Sequence, residues 1–161
     1  MSNDSILAGL RIVEASAFVA APLGGMTLAQ LGAEVIRIDA LGGGPDYRRW
    51  PVTDDNVSLF WCGLNKSKRS VAIDIASPEG RELAMALICA PGDDAGMQSA
   101  CRSAFLTGSG DANEAVNHVL PAWDLVTGQM AATGLLAAER HRRLNGVGQH
   151  VSSRSRTWRW R

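Results

Sequence analysis

Leu10-Arg11-Ile12-Val13-Glu14, Ala15-Ser16-Ala17-Phe18-Val19-Ala20-Ala21, the run from Pro22 to Leu31, and Ala33-Glu34-Val35-Ile36-Arg37-Ile38-Asp39 together decide the fold. The first piece is a short, mostly apolar run that reads as a strand, and the second is a turn of small residues. Pro22 suits the first position of a helix, because its missing N–H would have no partner there anyway. Gly32 is placed to cap that helix at its C-terminus, and the alternating run after it reads as a second strand. Strand, helix and strand in this order form a βαβ unit, which makes the class α/β with a parallel sheet. Its ligand would lie at the carboxyl ends of the strands, beside the N-terminus of the helix.

Working outward, Gly42-Gly43-Gly44-Pro45-Asp46 reads as a mobile loop or plain hinge and Tyr47 to Asn56 as a polar connection. The glycines lack the Lys-Ser/Thr ending of a phosphate loop. Ser58 to Leu64 reads as a short buried helix capped by Ser58, and Asn65-Lys66-Ser67-Lys68-Arg69 as a basic turn. A strand is expected over Ser70 to Ile75. The next helix starts at Ser77-Pro78-Glu79-Gly80, with a serine cap, a proline at the first position and a carboxylate in the first turn. Its body is Arg81 to Ile88. Between Ala95 and Ala104 neither helical nor strand periodicity is present. A long helix is expected over Pro121 to Leu144, with Leu125, Met130, Leu135 and Leu136 as its apolar stripe and Arg140-His141-Arg142-Arg143 at its negative end. Gln149-His150-Val151 starts like a strand, but Ser152 to Arg161 has the pattern of no element.

The chain has 161 residues, enough for one domain with a real core. Sixteen basic and sixteen acidic residues cancel, so charge argues for neither nucleic acid nor a membrane surface as partner. No apolar run reaches the length of a membrane span, and Met1 to Ser5 is unlike a signal peptide. Cys62, Cys89 and Cys101 have no CxxC spacing and read as reduced cysteines, which points to the cytoplasm. His118, His141 and His150 are scattered without ligand spacing, so no metal site is expected.

Leu7-Ala8-Gly9-Leu10-Arg11-Ile12-Val13-Glu14, Pro22-Leu23-Gly24-Gly25-Met26, Leu31-Gly32-Ala33-Glu34-Val35-Ile36-Arg37, Asn65-Lys66-Ser67-Lys68-Arg69-Ser70 and Ser77-Pro78-Glu79-Gly80-Arg81 follow one another as in the class III CoA-transferases. That family also includes the α-methylacyl-CoA racemases. The likeness returns over Pro121-Ala122-Trp123-Asp124, Gly128, Gly134-Leu135-Leu136-Ala137-Ala138 and Gly146-Val147-Gly148-Gln149. Within the family, Ser16 to Gln30, Ile88 to Gly92 and Val116 to Asp124 most resemble the branch that moves CoA from one carboxyl of mesaconate to the other. The resemblance implies a Rossmann-like parallel sheet with flanking helices, incomplete here relative to the family. It also implies an aspartate nucleophile that attacks an acyl-CoA thioester, releases CoA thiolate from an acyl-aspartyl anhydride, and takes CoA back as an aspartyl-CoA thioester. CoA enters as part of the substrate, and no metal or redox cofactor is implied.

Carried over residue by residue, Val19 and Ala20 match positions where the family's backbone approaches CoA. Ile73, Asp74, Ile75 and Ala76 match its CoA-contacting strand end. The position after Asp39 is often an arginine that binds nucleotide phosphates, and here it is Ala40. Lys66, Lys68 and Arg69 are candidates to offset phosphate charge, against the plainer reading of a solvated turn. No catalytic residue is assigned. The family's nucleophile lies between the segment matching Ser77 to Ile88 and the one matching Phe105-Leu106-Thr107-Gly108, where this chain has only the stretch around 95–104. Asp124 matches a downstream aspartate and reads as a carboxylate in the first turn of its helix.

The expected organisation is a Rossmann-like CoA-binding part over 1–94, a deletion junction over 95–104, a remnant with the long helix over 105–151 and a frameshifted tail over 152–161. Synonymous codons exist for Val151 to Arg161 whose alternative frame spells an apolar strand-and-helix text. The resemblance implies interlocked homodimers for full-length relatives, and without the family's C-terminal return and smaller second domain the long helix would leave an apolar face uncovered. The functional expectation is a fragment of a CoA-transferase, inactive by itself, with acyl-CoA or coenzyme A as partner. The alternatives are an α-methylacyl-CoA racemase-like protein and a non-catalytic CoA-binding relic.

Overall fold

The computed structural model describes residues 5–89, 93–97 and 122–152. Its elements in chain order are β1 (Leu10–Glu14), α1 (Ala20–Gln30), β2 (Glu34–Asp39), α2 (Leu59–Leu64), β3 (Arg69–Ala72), α3 (Pro78–Ile88), β4 (Asp93–Met97) and α4 (Ala122–Asn145). The strands form one sheet in the order β3-β2-β1-β4. Every pairing is parallel, with Glu14 opposite Arg37 and Met97, and Asp39 opposite Ala72. The expected α/β class and βαβ unit are therefore present.

Local chemistry explains most of the boundaries. α1 ends in a Schellman motif: Gly32, at φ 104°, donates to Ala29, and Ala33 donates to Leu28. The left-handed turn at this position is why glycine follows Leu31. Pro22 is the third helical residue, because α1 begins at Ala20 with Val19 as its N-cap. It still falls among the N–H groups that have no helical acceptor. α3 has the expected start: Ser77 Oγ accepts from Gly80, Pro78 is the first helical residue and Glu79 lies in the first turn. α4 ends at Gly146, φ 70°, whose N–H donates to Arg142.

The core lies between the sheet and the paired helices α1 and α4. Leu10, Ile12 and Val35 from the strands meet Leu28, Ala29 and Ala33 from the first crossover and Ala132 and Leu135 from α4. Small residues set the helix spacing. Gly128 packs so closely on α1 that a Cβ there would stand 2.5 Å from the Ala20 carbonyl oxygen. Gln129 Nε2 donates to Thr27 Oγ1 across the same seam at 3.1 Å.

Several expectations are corrected. α4 buries Thr127, Gly128, Ala132, Gly134 and Leu135, whereas Leu125, Met130 and Leu136 are only half-buried. A stripe of small residues lets two helices approach, so volume, and not hydrophobicity, selects the buried face. α4 accordingly has its inner face covered by α1. Exposed large apolar side chains occur on α3 at Leu83, Met85 and Ile88 as well as at Trp123 and Val126 of α4. α2 has no buried residue, although its cap Ser58 is buried and accepts from Trp61 at 3.1 Å. β3 stops at Ala72, because Asp74 folds the chain back. Residues 149–151 form no strand. The first part of the expected junction is regular, since Asp93–Met97 pairs along the whole of β1. Two aspartates and a glycine are poor strand formers, so the ladder itself holds β4. The rest of that junction, the segment 105–121 and the tail after residue 152 lie outside the described residues.

Candidate functional site

β2 and β3 lie on one side of β1, and β4 lies on the other. Successive strands are thus added on one side of β1 and then on the other while all run parallel, and open α/β sheets hold ligands outside the carboxyl ends of their strands. Two groups of expected contact residues lie at the carboxyl ends of the strands. Val19 and Ala20 follow β1 at the start of α1, and Ile73 to Ala76 follow β3. They are two strand spacings apart, about 10 Å, with the end of β2 between them.

The turn after β3 is tightly organised. Ile73 is buried and extends the ladder by donating to the Asp39 carbonyl at 2.9 Å. Asp74 Oδ1 accepts from Ala76 N–H at 3.0 Å, and its carbonyl accepts from Ser77 Oγ at 2.9 Å. Arg81 Nη1 donates to the Ala76 carbonyl at 2.6 Å. The Asp74 carboxylate is therefore used to shape the turn. What the turn presents outward is Ile75, 59% exposed, beside the exposed Asp74 and Ala76. The opposite group differs: Val19 and Ala20 are buried, so their side chains offer little surface there.

The turn into α1 contains Phe18 at φ 65°, a left-handed conformation uncommon for a residue with a side chain. Its N–H donates to Asp46 Oδ2 at 2.5 Å. Asp46 belongs to the loop expected to be a hinge, and its carboxylate occupies the place beside a helix N-terminus that an anionic ligand would take. Gly43, φ 94°, sits over the Tyr47 ring with no room for a Cβ, and Tyr47 donates to Asp39 Oδ2 at 3.2 Å. The glycine loop is thus a packed turn in this structure. Burial pushes the Tyr47 hydroxyl above its ordinary pKa, with the Asp39 carboxylate acting in the same direction.

Beneath this edge lies a buried charge cluster that sequence reasoning missed. Strand alternation puts Leu10, Ile12 and Glu14 on one face and Val35, Arg37 and Asp39 on the same side of the neighbouring strand. The core face is therefore apolar at its amino end and charged at its carboxyl end. Arg37 donates to Asp39 Oδ1 at 2.7 Å, to Asn65 Oδ1 at 2.9 Å and to the Ser16 carbonyl at 3.0 Å, and pairs with Glu14 at 3.4 Å. Lys68 Nζ lies 2.8 Å from Glu14 Oε2, outside hydrogen-bonding geometry to that oxygen, and donates to Glu14 Oε1, Asn65 Oδ1 and the Pro22 carbonyl. Burial lowers the Lys68 pKa, and the Glu14 carboxylate opposes that shift. Two carboxylates and two cations balance, and their hydrogen bonds hold the β1–α1 turn at Ser16 and Pro22. The sequence signal was present: ionisable residues standing in phase with Ile12 and Val35.

Of the basic residues considered for phosphate, Lys68 thus points inward and Arg69 pairs with Glu34 at 2.7 Å, while Lys66 is exposed. Asp124 lies in the first turn of α4. Cys62 and Cys89 are exposed and free. Among the described residues no group of three or more His, Cys, Asp or Glu is placed to hold a metal ion, and no helix is long and apolar enough to cross a membrane.

Residues 7–90 match the model of CoA-transferase family III. The 2-methylfumaryl-CoA isomerase of Chloroflexus aurantiacus is 53% identical over an alignment covering 91% of this chain and 46% of that protein. The alignment has 189 positions, so about 40 of them have no counterpart in this 161-residue chain. The human succinyl-CoA:glutarate CoA-transferase is 34% identical over 55% of this chain and 21% of its own length. A CAIB/BAIF family protein from Brucella suis shares the fold with a TM-score of 0.74 at 24% identity, covering 91% of this chain and 52% of that one. The chain spans about half the length of the Chloroflexus isomerase, and more than half of the chain itself falls within the family pattern. With that pattern lying over the sheet edge and both candidate contact turns, the chain belongs to CoA-transferase family III.

Proposed function

We propose that this chain carries the CoA-side half of a class III transferase site, and that acyl-CoA binds along the carboxyl edge between the Val19-Ala20 turn and the Ile73–Ala76 turn. The observation that carries this reading is the placement of both turns at the carboxyl ends of parallel strands in one sheet. Backbone at Val19 and Ala20 and the apolar surface of Ile75 and Ala76 suit the uncharged pantetheine arm better than the phosphates. Asp46 beside the α1 N-terminus and Ala40 after β2 favour placing the phosphates elsewhere.

The proposed substrate is mesaconyl-CoA, with CoA moving between its two carboxyls through an aspartyl-CoA intermediate in the complete site. Identity to the Chloroflexus isomerase supports this substrate. This chain by itself is proposed to bind CoA without turnover. The family pattern ends at residue 90, and the aspartates near the proposed CoA edge are engaged in its turns, Asp74 with the Ala76 N–H and Asp46 with the Phe18 N–H. The divisions 1–94, 95–104, 105–151 and 152–161 remain the proposed organisation, and the gap of about 40 aligned positions supports a missing internal segment. Free, exposed Cys62 and Cys89 fit a reducing cytoplasmic setting. Incubation with mesaconyl-CoA, followed by chromatography of the acyl-CoA products, is expected to show no isomer above background, whereas free CoA is expected to raise the unfolding temperature. At a hundredfold excess over Kd the stabilisation would be about 2.7 kcal/mol. Turnover would overturn the inactivity, and an unchanged unfolding temperature would overturn CoA binding.

A further inference from the structure

Phe18 adopts left-handed backbone although its side chain is 56% exposed. Its own packing therefore does little to hold that conformation, and something else must. The Asp46 carboxylate, 2% exposed, accepts the Phe18 N–H at 2.5 Å. Asp46 Oδ1 has no hydrogen-bond partner, and Arg49 Nη1 stands 3.8 Å from it. The Arg49 guanidinium also lies 5.4 Å from the Phe18 ring centroid and 4.3 Å from that of Phe60. Arg49 is itself fixed through its carbonyl, which accepts from Ser58 Oγ at 2.6 Å.

We propose that Asp46 is a positioning residue, supported by Arg49, that locks Phe18 in left-handed backbone and so fixes how the next two residues, Val19 and Ala20, face the carboxyl edge. The inference rests on the CoA-site reading above. A charge-assisted bond to a buried carboxylate is strong enough to hold a backbone state that L residues otherwise disfavour. The loop after β2 would then be coupled to the turn after β1, 28 residues earlier in the chain.

Two readouts test this in the full chain, with free CoA as the probe. Amide exchange should show Phe18 protected in the wild type, exposed at least about tenfold faster in Asp46→Ala, and protected again in Asp46→Asn, which keeps an acceptor oxygen. CoA affinity should fall roughly tenfold in Asp46→Ala and return to within about threefold in Asp46→Ala/Phe18→Gly, because glycine adopts the left-handed state unaided. Phe18→Gly and Phe18→Val keep Asp46 and guard against a misfolded Asp46→Ala. Glycine should retain affinity and β-branched valine should lose it. Equal affinities for those two variants, or unchanged Phe18 exchange in Asp46→Ala, would overturn the positioning role. Absence of CoA binding by the wild type would instead overturn the site reading, and the exchange data would still judge the Asp46 lock.

Discussion

Glu14, Arg37, Asp39 and Lys68 show how single residues carry this structure. Each side chain is nearly excluded from water, so each charge depends on its partners. Removing one partner strands the others, and Arg37→Met should destabilise the fold by about 3–5 kcal/mol, read as a lowered urea midpoint. Two glycines give a matched contrast. A Cβ at Gly25 would run into the Glu14 carboxylate, whereas one at Gly63 meets nothing within 4 Å. Gly25→Ala is expected to cost about 1–3 kcal/mol, and Gly63→Ala to be neutral or to stabilise by up to about 1 kcal/mol. At this scale the caps were legible, because Ser58, Ser77 and Gly32 act on their immediate neighbours. The Asp46–Phe18 bond was not, since neither partner's spacing reveals a contact 28 residues apart.

At the scale of elements, Glu34 of β2 ties the sheet sideways to Arg11 of β1 at 3.2 Å and to Arg69 of β3 at 2.7 Å. Arg69 and then Arg11 hold its carboxyl below the ordinary value of 4.5. A depressed carboxylate pKa means the unfolded chain binds the proton first, so this contribution is present above about pH 4.5 and is lost as pH falls through the folded value. The group is partly exposed, so screening limits the effect to about 1 kcal/mol or less. The stability difference between wild type and Glu34→Gln should therefore be measurable at neutral pH, vanish in acid and shrink in high salt. β1, α1, β2 and α3 were legible as elements because their period and caps agree. β4 was not, because Asp93, Asp94 and Gly96 form a strand only when β1 offers its edge. The seam of α4 was misread for a related reason: helix contact at Gly128 selects small residues that hydrophobicity ranks low.

For the molecule as a whole, one sheet edge gathers what the sequence places at residues 14–20, 37–47, 65–68 and 73–76. Strand order, which no local pattern encodes, brings those segments together, and so their neighbourhood was legible only through the family resemblance. A buried, charge-balanced floor lies under an edge that presents Ile75 and Ala76 beside Asp74. That division suits a site that grips a long, mostly neutral arm above a rigid base. CoA bound along this edge would register in hydrogen exchange measured with and without saturating free CoA. Protection should rise at Val19, Ala20 and Ile73 to Ala76, and remain unchanged over the last turns of α4. Protection elsewhere with these two turns unaffected would contradict binding of CoA along this edge.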